Sequence, residues 1–286
     1  MAELQRASGR RRPWRLTEAP PEHFVPMRFR QGIRRIVAPN PGPMTYHGTN
    51  SWLVDWHGGT VVIDPGSEDE THLAAILREA GDALSHILLT HTHSDHLSGA
   101  MTLHRRTGVP VAGYHTSAEP SFTPTLKLSD GDRIAGLTVV HTPGHAMDHL
   151  CFEAPDSLLF SGDHVMGWST SVVPPHPWGD LSLFVANLEK VRDRGDAVIL
   201  SAHGPAITQP RALIQNLLDH RHAREASIAA LLKATPQPFE TLLARAYLNL
   251  RPDLLLPARA NLLAHLEKLE SEGRAAHHDQ HWRSLG

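Results

Sequence analysis

A chain of 286 residues, 41% hydrophobic and 20% charged, is long enough for one larger α/β domain and a small companion. Lys and Arg total 27 against 30 Asp and Glu, so the net charge of −3 offers no global basic field for nucleic acid, although a local patch stays open. The one cysteine, Cys151, rules out an intrachain disulfide and suits a reducing compartment, and no apolar stretch approaches the ~20 residues that span a bilayer.

Met1 to Arg15 carries Arg6, Arg10, Arg11, Arg12 and Arg15 with no apolar run behind them. That pattern predicts a flexible tail over residues 1–32 rather than a secretory signal, with a mitochondrial transit peptide as the lesser alternative; the expected location is cytoplasmic. Ser51–Val54 and Thr60–Ile63 read as strands joined by a Gly58-Gly59 hairpin. Leu73, Ile76, Leu77 and Ala80 have helical spacing, with Gly81 as the stop. Leu84–Thr90, Val109–Gly113, Leu137–Val140, Leu158–Phe160 and Val198–Leu200 are further strands, and Gly99–Thr107 and Leu181–Val191 are helices. This order predicts packed sheets with helices outside, over residues 33–210. Beyond Pro210 only helical periods follow, at Ala212–Leu232, Phe239–Leu248 and Ala258–Glu272, the last closed by Gly273. They mark a small C-terminal domain, residues 211–286, ending in a short polar segment.

The strand Leu84–Thr90 runs directly into His91-Thr92-His93-Ser94-Asp95-His96. Three imidazoles and a carboxylate in six positions are rarely placed there by packing, because buried polar atoms need partners. His91 and His93, two apart at a strand end, point to one side; Asp95 and His96 follow in a turn that aims them at a second point nearby. One ion cannot easily take all four, whereas two adjacent ions can. Three other strand ends supply candidates of the same kind: His145 beyond Leu137–Val140, Asp163 beyond Leu158–Phe160 and His203 beyond Val198–Leu200. Asp163 suits a bridging role, since its two oxygens can serve two cations. Most of the 22 histidines must be surface or packing residues, among them His23, His57, His72, His86, His115 and His277, His278 and His281.

The motif His91-Thr-His-Ser-Asp-His96 with His145, Asp163 and His203 resembles the metallo-β-lactamase superfamily in its two-metal form. The resemblance covers about residues 33 to 208. It implies an αββα sandwich of two mixed sheets, with His91, His93 and His145 on one ion, Asp95, His96 and His203 on the other, and Asp163 between them. Asn40-Pro41-Gly42-Pro43-Met44-Thr45 and Gly48-Thr49-Asn50 are similar to the opening of the lactamase-β-2-like branch. His220–Glu225 and Asn261–Leu266 are similar to that branch's C-terminal segments. This implies a winged-helix-like C-terminal domain, which periodicity alone does not show.

Imidazole and carboxylate ligands make zinc the default metal, with iron or manganese open in a mixed N/O site. Two cations lower the pKa of a bridging water enough to present hydroxide near neutral pH, and Asp95 is the candidate to orient it or manage its proton. His164 is a weaker proton-transfer candidate. The expected function is a metal-dependent hydrolase of a small-molecule ester, thioester or lactone, similar to glyoxalase-II-like enzymes. A single-strand endoribonuclease is the alternative, so RNA stays open as a partner, and no membrane partner is expected. A DNA-binding regulator is a third reading, weakened by Glu267, Glu270 and Glu272 on the last helix. The C-terminal domain is expected instead to wall the active site or form a homodimer contact. The segment Trp168–Trp178, with Trp168 and His176, is expected to wall the substrate pocket together with Tyr46 and His47, although packing roles for Trp168 and Trp178 stay open.

Overall fold

The computed structural model describes residues 14–279 and 281–286; the arginines at 6, 10, 11 and 12 lie outside the described residues. Seven strands form the first sheet in chain order: β1 (Met27–Arg30), β2 (Ile33–Val37), β3 (Asn50–Trp56), β4 (Gly59–Ile63), β5 (Leu84–Leu88), β6 (Val111–Tyr114) and β7 (Leu126–Leu128). The first four pair antiparallel, and β4 to β7 run parallel. Parallel neighbours need crossovers, which are α1 (Glu70–Ala80) from β4 to β5, α2 (Ser94–Thr107) from β5 to β6, and the irregular segment 115–125 from β6 to β7. A second sheet has the order β12-β11-β10-β9-β8, from β8 (Arg133–Ile134), β9 (Leu137–His141), β10 (Leu150–Ala154), β11 (Leu158–Gly162) and β12 (Val198–Ser201). Only β11 and β12 are parallel in it, joined through α3 (Leu181–Arg194).

Period-two patterning stacks the two sheets. On β4, Val61 and Ile63 face the other sheet while Val62 faces α1 and α2; on β11, Leu158 and Phe160 face inward and Leu159 faces α3. The middle layer is built on Trp52, Leu88, Phe152, Phe160 and Leu200, and the outer layers on Leu73, Ile76 and Leu103 on one side and Phe184, Leu188, Ile214 and Leu217 on the other. A fully buried side chain such as Phe152 contributes roughly 1.5–3 kcal/mol by removal from water. The result is an αββα sandwich of two mixed sheets.

The C-terminal part begins with α4 (Pro210–Ala229), whose first half packs on the second sheet and α3 while Ile228 enters a separate core. That core is closed by α5 (Phe239–Ala246), α6 (Leu255–Ser271) and a three-stranded sheet of β13 (Gln237–Pro238), β15 (His281–Ser284) and β14 (Ala275–His278). Three helices with a small β-hairpin make a winged-helix domain.

Three expectations need correction. The segment before residue 33 is not loose throughout. Leu16 donates its N–H to Gly167 O (2.9 Å), Glu18 pairs with Arg35 (2.9 Å), and the first sheet already starts at Met27. Asp95 and His96 are not in a turn but in the first turn of α2, whose N-cap is His93. The polar end of the chain is the β14–β15 hairpin, fastened by the buried Trp282.

Candidate metal centre

The loops at the ends of β5, β9, β11 and β12, with the first turn of α2, bring all seven candidate donors to one edge of the sandwich. Hydrogen bonds between the sheets hold that edge: Leu150 N–H to Thr90 O (2.6 Å) and Asn50 N–H to Ala202 O (2.7 Å). The Asn50 amide also donates to Ser201 O and Gly204 O at 3.0 and 2.9 Å, which fixes the turn bearing His203.

Two donor groups result. His91 Nε2 lies 2.8 Å from His93 Nδ1, and His145 Nε2 lies 3.1 Å from the same atom. Three donors of a tetrahedral ion with ~2.0 Å bonds stand about 3.3 Å apart, so the three imidazoles have close to the spacing one ion requires. In the second group Asp95 Oδ2 lies 3.2 Å from His203 Nε2 and 3.5 Å from His96 Nε2. Asp163 spans the two, with Oδ1 3.3 Å from His203 Nε2 and Oδ2 3.5 Å from His145 Nε2. The donor atoms within each of the groups His91/His93/His145, Asp95/His96/His203 and His91/His96/Asp163 fall within 4.8 Å of one another. His96 Nε2, His203 Nε2 and Asp163 Oδ1 are buried and form no well-made hydrogen bond among the described residues. Buried polar atoms left so cost about 1–3 kcal/mol each. A divalent cation satisfies all three, so this donor set fits metal.

Electrostatics divide the groups. His91 is held far below its ordinary pKa by burial and then by its neighbours His96 and His93. His93, which closes the solvent side, is pushed down to about 3 by desolvation and then by His145 and His96. These rings are neutral and offer lone pairs. In the second group burial opposes charge on His96, but Asp95 and Asp64 outweigh it and raise its pKa; on His203, Asp163 and Asp95 likewise outweigh burial. Burial would raise the Asp95 carboxyl, yet His96 and His203 hold it well below the usual carboxylate range.

Sequence reasoning missed the residues beneath the donors. Asp64, at the end of β4 with φ of 50°, is buried; it accepts Thr90 N–H (2.9 Å) and Oγ1–H (2.7 Å), and its Oδ2 lies 3.0 Å from His96 Nδ1. That contact directs His96 Nε2 toward the centre. His149 accepts Asp163 N–H on Nε2 (3.2 Å), which puts its own proton on Nδ1, facing Thr142 Oγ1 (2.9 Å). Gly162, at φ of 50°, leaves that approach open: a Cβ there would sit 2.6 Å from His149 Nε2 and 2.7 Å from Thr90 Cβ. Asp148 accepts from Thr92 Oγ1 and Ala118 N–H, bracing the residue between His91 and His93. The available signals were Asp64-Pro-Gly after a strand and the Asp148-His149 pair before one.

The residues expected to wall a pocket lie in different surroundings. Trp168 is buried, stacks on Tyr46 (5.0 Å between centroids) and lies against Gly204, next to His203. Tyr46 and His47 are half-buried and tied to Glu18. His176 is exposed, its N–H bound to Glu267 Oε2 at 3.0 Å. His164 is buried against Phe184, and burial holds it at about 4. A cleft of about 570 Å³ opens beside the His145 loop, lined by Tyr114, His141, Pro143, Met147, Trp178 and Leu183 among others.

Residues 44–203 match the model of the metallo-beta-lactamase superfamily, and residues 239–282 that of the beta-lactamase associated winged helix domain. The chain therefore belongs to the metallo-beta-lactamase superfamily and carries this winged-helix domain; it is a metal-dependent hydrolase. A beta-lactamase-like protein 2 homolog of Drosophila melanogaster is 31% identical over 274 residues, covering 86% of this chain and 90% of that protein. An atrochrysone carboxyl ACP thioesterase of Claviceps purpurea is 32% identical over 208 residues, covering 70% of this chain and 65% of that protein. A metallo-beta-lactamase family protein of Thermus thermophilus, 23% identical, shares the fold with a TM-score of 0.76 over 90% of this chain and 100% of that one. Among the described residues no helix is long and apolar enough to cross a membrane.

Proposed function

We propose that the chain is a dinuclear zinc hydrolase of small-molecule thioesters and related esters or lactones. The observation that carries the dinuclear reading is Asp163, whose two oxygens face the two donor groups at 3.3 and 3.5 Å. His91, His93 and His145 would hold one ion, Asp95, His96 and His203 the other, with Asp163 shared. When bound, two such cations supply an activated water and polarise a carbonyl oxygen.

The chain's own residues do the rest. Asp95 is kept ionised and its side chain is 27% exposed, so it is the carboxylate at the mouth of the site suited to accept a hydrogen bond from a bound water and orient it. Asp64 and His149 fix the orientations of His96 and Asp163, so the donors need little reorganisation. The cleft beside His145, with its Tyr114, Met147 and Trp178, suits the organic portion of an acyl substrate. The thioesterase relative supports an acyl over a phosphoryl substrate, and the net charge of −3 gives a long polyanion little attraction.

The test is metal analysis of the purified protein with a turnover screen over thioesters, lactones, phosphodiesters and short RNA. Two ions per chain and thioester turnover abolished by chelation are expected. RNA cleavage without ester turnover would reverse the substrate assignment.

A further inference from the structure

The segment between Asp163 and α3 touches the donors from one side and the C-terminal helices from the other. On the donor side, His145 Nδ1 donates to Val172 O at 2.6 Å, and Ser171 Oγ donates to Asp163 O at 2.5 Å. On the other side, Arg221 of α4 donates from one terminal nitrogen to Ser171 O and from the other to Asn261 Oδ1 (3.1 Å). Asn261 of α6 accepts Val173 N–H on that same oxygen at 3.1 Å. Its amide orientation is set by a third bond, Nδ2–H to Pro257 O at 3.0 Å. Arg221, Ser171, Val173 and Asp163 are all buried, and the guanidinium lies over the Phe184 ring at 5.1 Å.

We propose that Arg221 and Asn261 are positioning residues of the metal centre, a clamp through which the C-terminal part of the chain holds His145 and Asp163 in place. The residues on either side of Val172 are gripped, at Ser171 O and Val173 N–H, so the Val172 carbonyl is held where it receives the His145 proton. That bond puts the imidazole proton on Nδ1 and leaves Nε2 toward the donor group. Ser171, gripped by the same guanidinium, braces the main chain of the shared carboxylate. The bidentate fork of an arginine can hold two acceptors at fixed separation, which a lysine cannot. Metal binding and docking of α4 and α6 are therefore coupled, and the coupling is reciprocal.

The inference rests on the metal reading above, and the experiment separates the two. Metal affinity is measured by chelator competition with zinc on the full chain, wild type against Asn261→Ala, Asn261→Asp and Arg221→Lys. Partners one bond beyond a ligand change affinity by roughly 10–100-fold, and a loss of about 10-fold is expected for Asn261→Ala and Arg221→Lys. Asn261→Asp keeps the acceptor for Arg221 and Val173 but loses the donor to Pro257 O, so it should restore part of that loss and bind zinc more tightly than Asn261→Ala. Combining the Ala and Lys changes should add little to either alone, because both act on one segment. Folded variants with wild-type zinc affinity would overturn the clamp. Should the variants not fold, wild-type hydrogen exchange decides: zinc should slow exchange of the Val173 amide and of α6 by at least about 10-fold, and unchanged exchange would overturn the clamp. A wild-type chain that takes up no zinc would instead sink the metal reading, and the clamp with it.

Discussion

Asp64→Asn isolates the support beneath one donor. Asn tolerates the positive φ at this site and is nearly isosteric, so backbone and packing stay as they are. Its amide has two orientations, and each leaves one contact wrong. With the oxygen toward Thr90 N–H, the NH2 faces His96 Nδ1, and His96 must move its proton to Nε2, where it blocks the donor lone pair. With the amide flipped, the NH2 faces Thr90 N–H at a distance where the carboxylate now accepts at 2.9 Å. An unsatisfied buried donor costs about 1–3 kcal/mol, equivalent to roughly 5- to 150-fold in an equilibrium constant. The first orientation spends this on metal affinity, and the second on stability of the metal-free protein. Urea unfolding with and without zinc, alongside chelator competition, measures both. A variant matching wild type in metal-free stability and zinc affinity would refute the role assigned to Asp64.

Other substitutions probe separate links. His93→Ala or Asp163→Ala should lower turnover by several orders of magnitude, and a chelated, metal-free preparation that remained active would remove the basis of the mechanism. Gly162→Ala places a Cβ against His149 and Thr90 in a left-handed backbone, and should cost about 1–3 kcal/mol or more of folding stability by urea titration. Trp168→Ala should cost roughly 3–5 kcal/mol, while the exposed His176→Ala stays within about 0.5 kcal/mol; equal effects would contradict the burial of Trp168. His72 is buried on α1 beside Ser51, and burial depresses it to about 4. A histidine depressed in the folded state costs nothing above its unfolded pKa of ~6.5 and destabilises as pH falls toward the folded value. Between pH 7 and 5 that amounts to about 2 kcal/mol, which His72→Gln should remove from a metal-free pH-stability series. An identical pH dependence in the variant would show that His72 is not the source.

Much of the site was legible because strands announce their own ends. The apolar run before His91 and the runs before Asp163 and His203 marked both the sheet and the donors. The start of α2 was less visible. Ser94-Asp95-His96 has no apolar period, and Gly99 weakens the helical signal; yet Gly99 is required, since a Cβ there would sit 2.7 Å from Gly66 O. Asp64, Thr90 and His149 went unseen because each acts through side-chain hydrogen bonds between neighbouring strand ends, which leave no periodic trace. The wing escaped for a different reason. Ala275–His278 and His281–Ser284 show no β-branched alternation, and only the small Ala275 and Trp282 of these strands enter the domain core among the described residues. Trp168, for which wall and packing roles were both open, is buried by partners far away in sequence, among them the Tyr46 ring and the segment around Leu16, which the sequence does not announce.

The hydrogen bond from Leu150 to Thr90 crosses between sheets made by different stretches of chain. His91, His93, Asp95 and His96 follow the first sheet; His145, Asp163 and His203 follow the second. Neither half alone gathers the seven donors, and the last emerges only at residue 203. A nascent chain therefore presents an incomplete donor set until the sandwich has closed, and on the proposed metal reading tight capture would mark a closed sandwich.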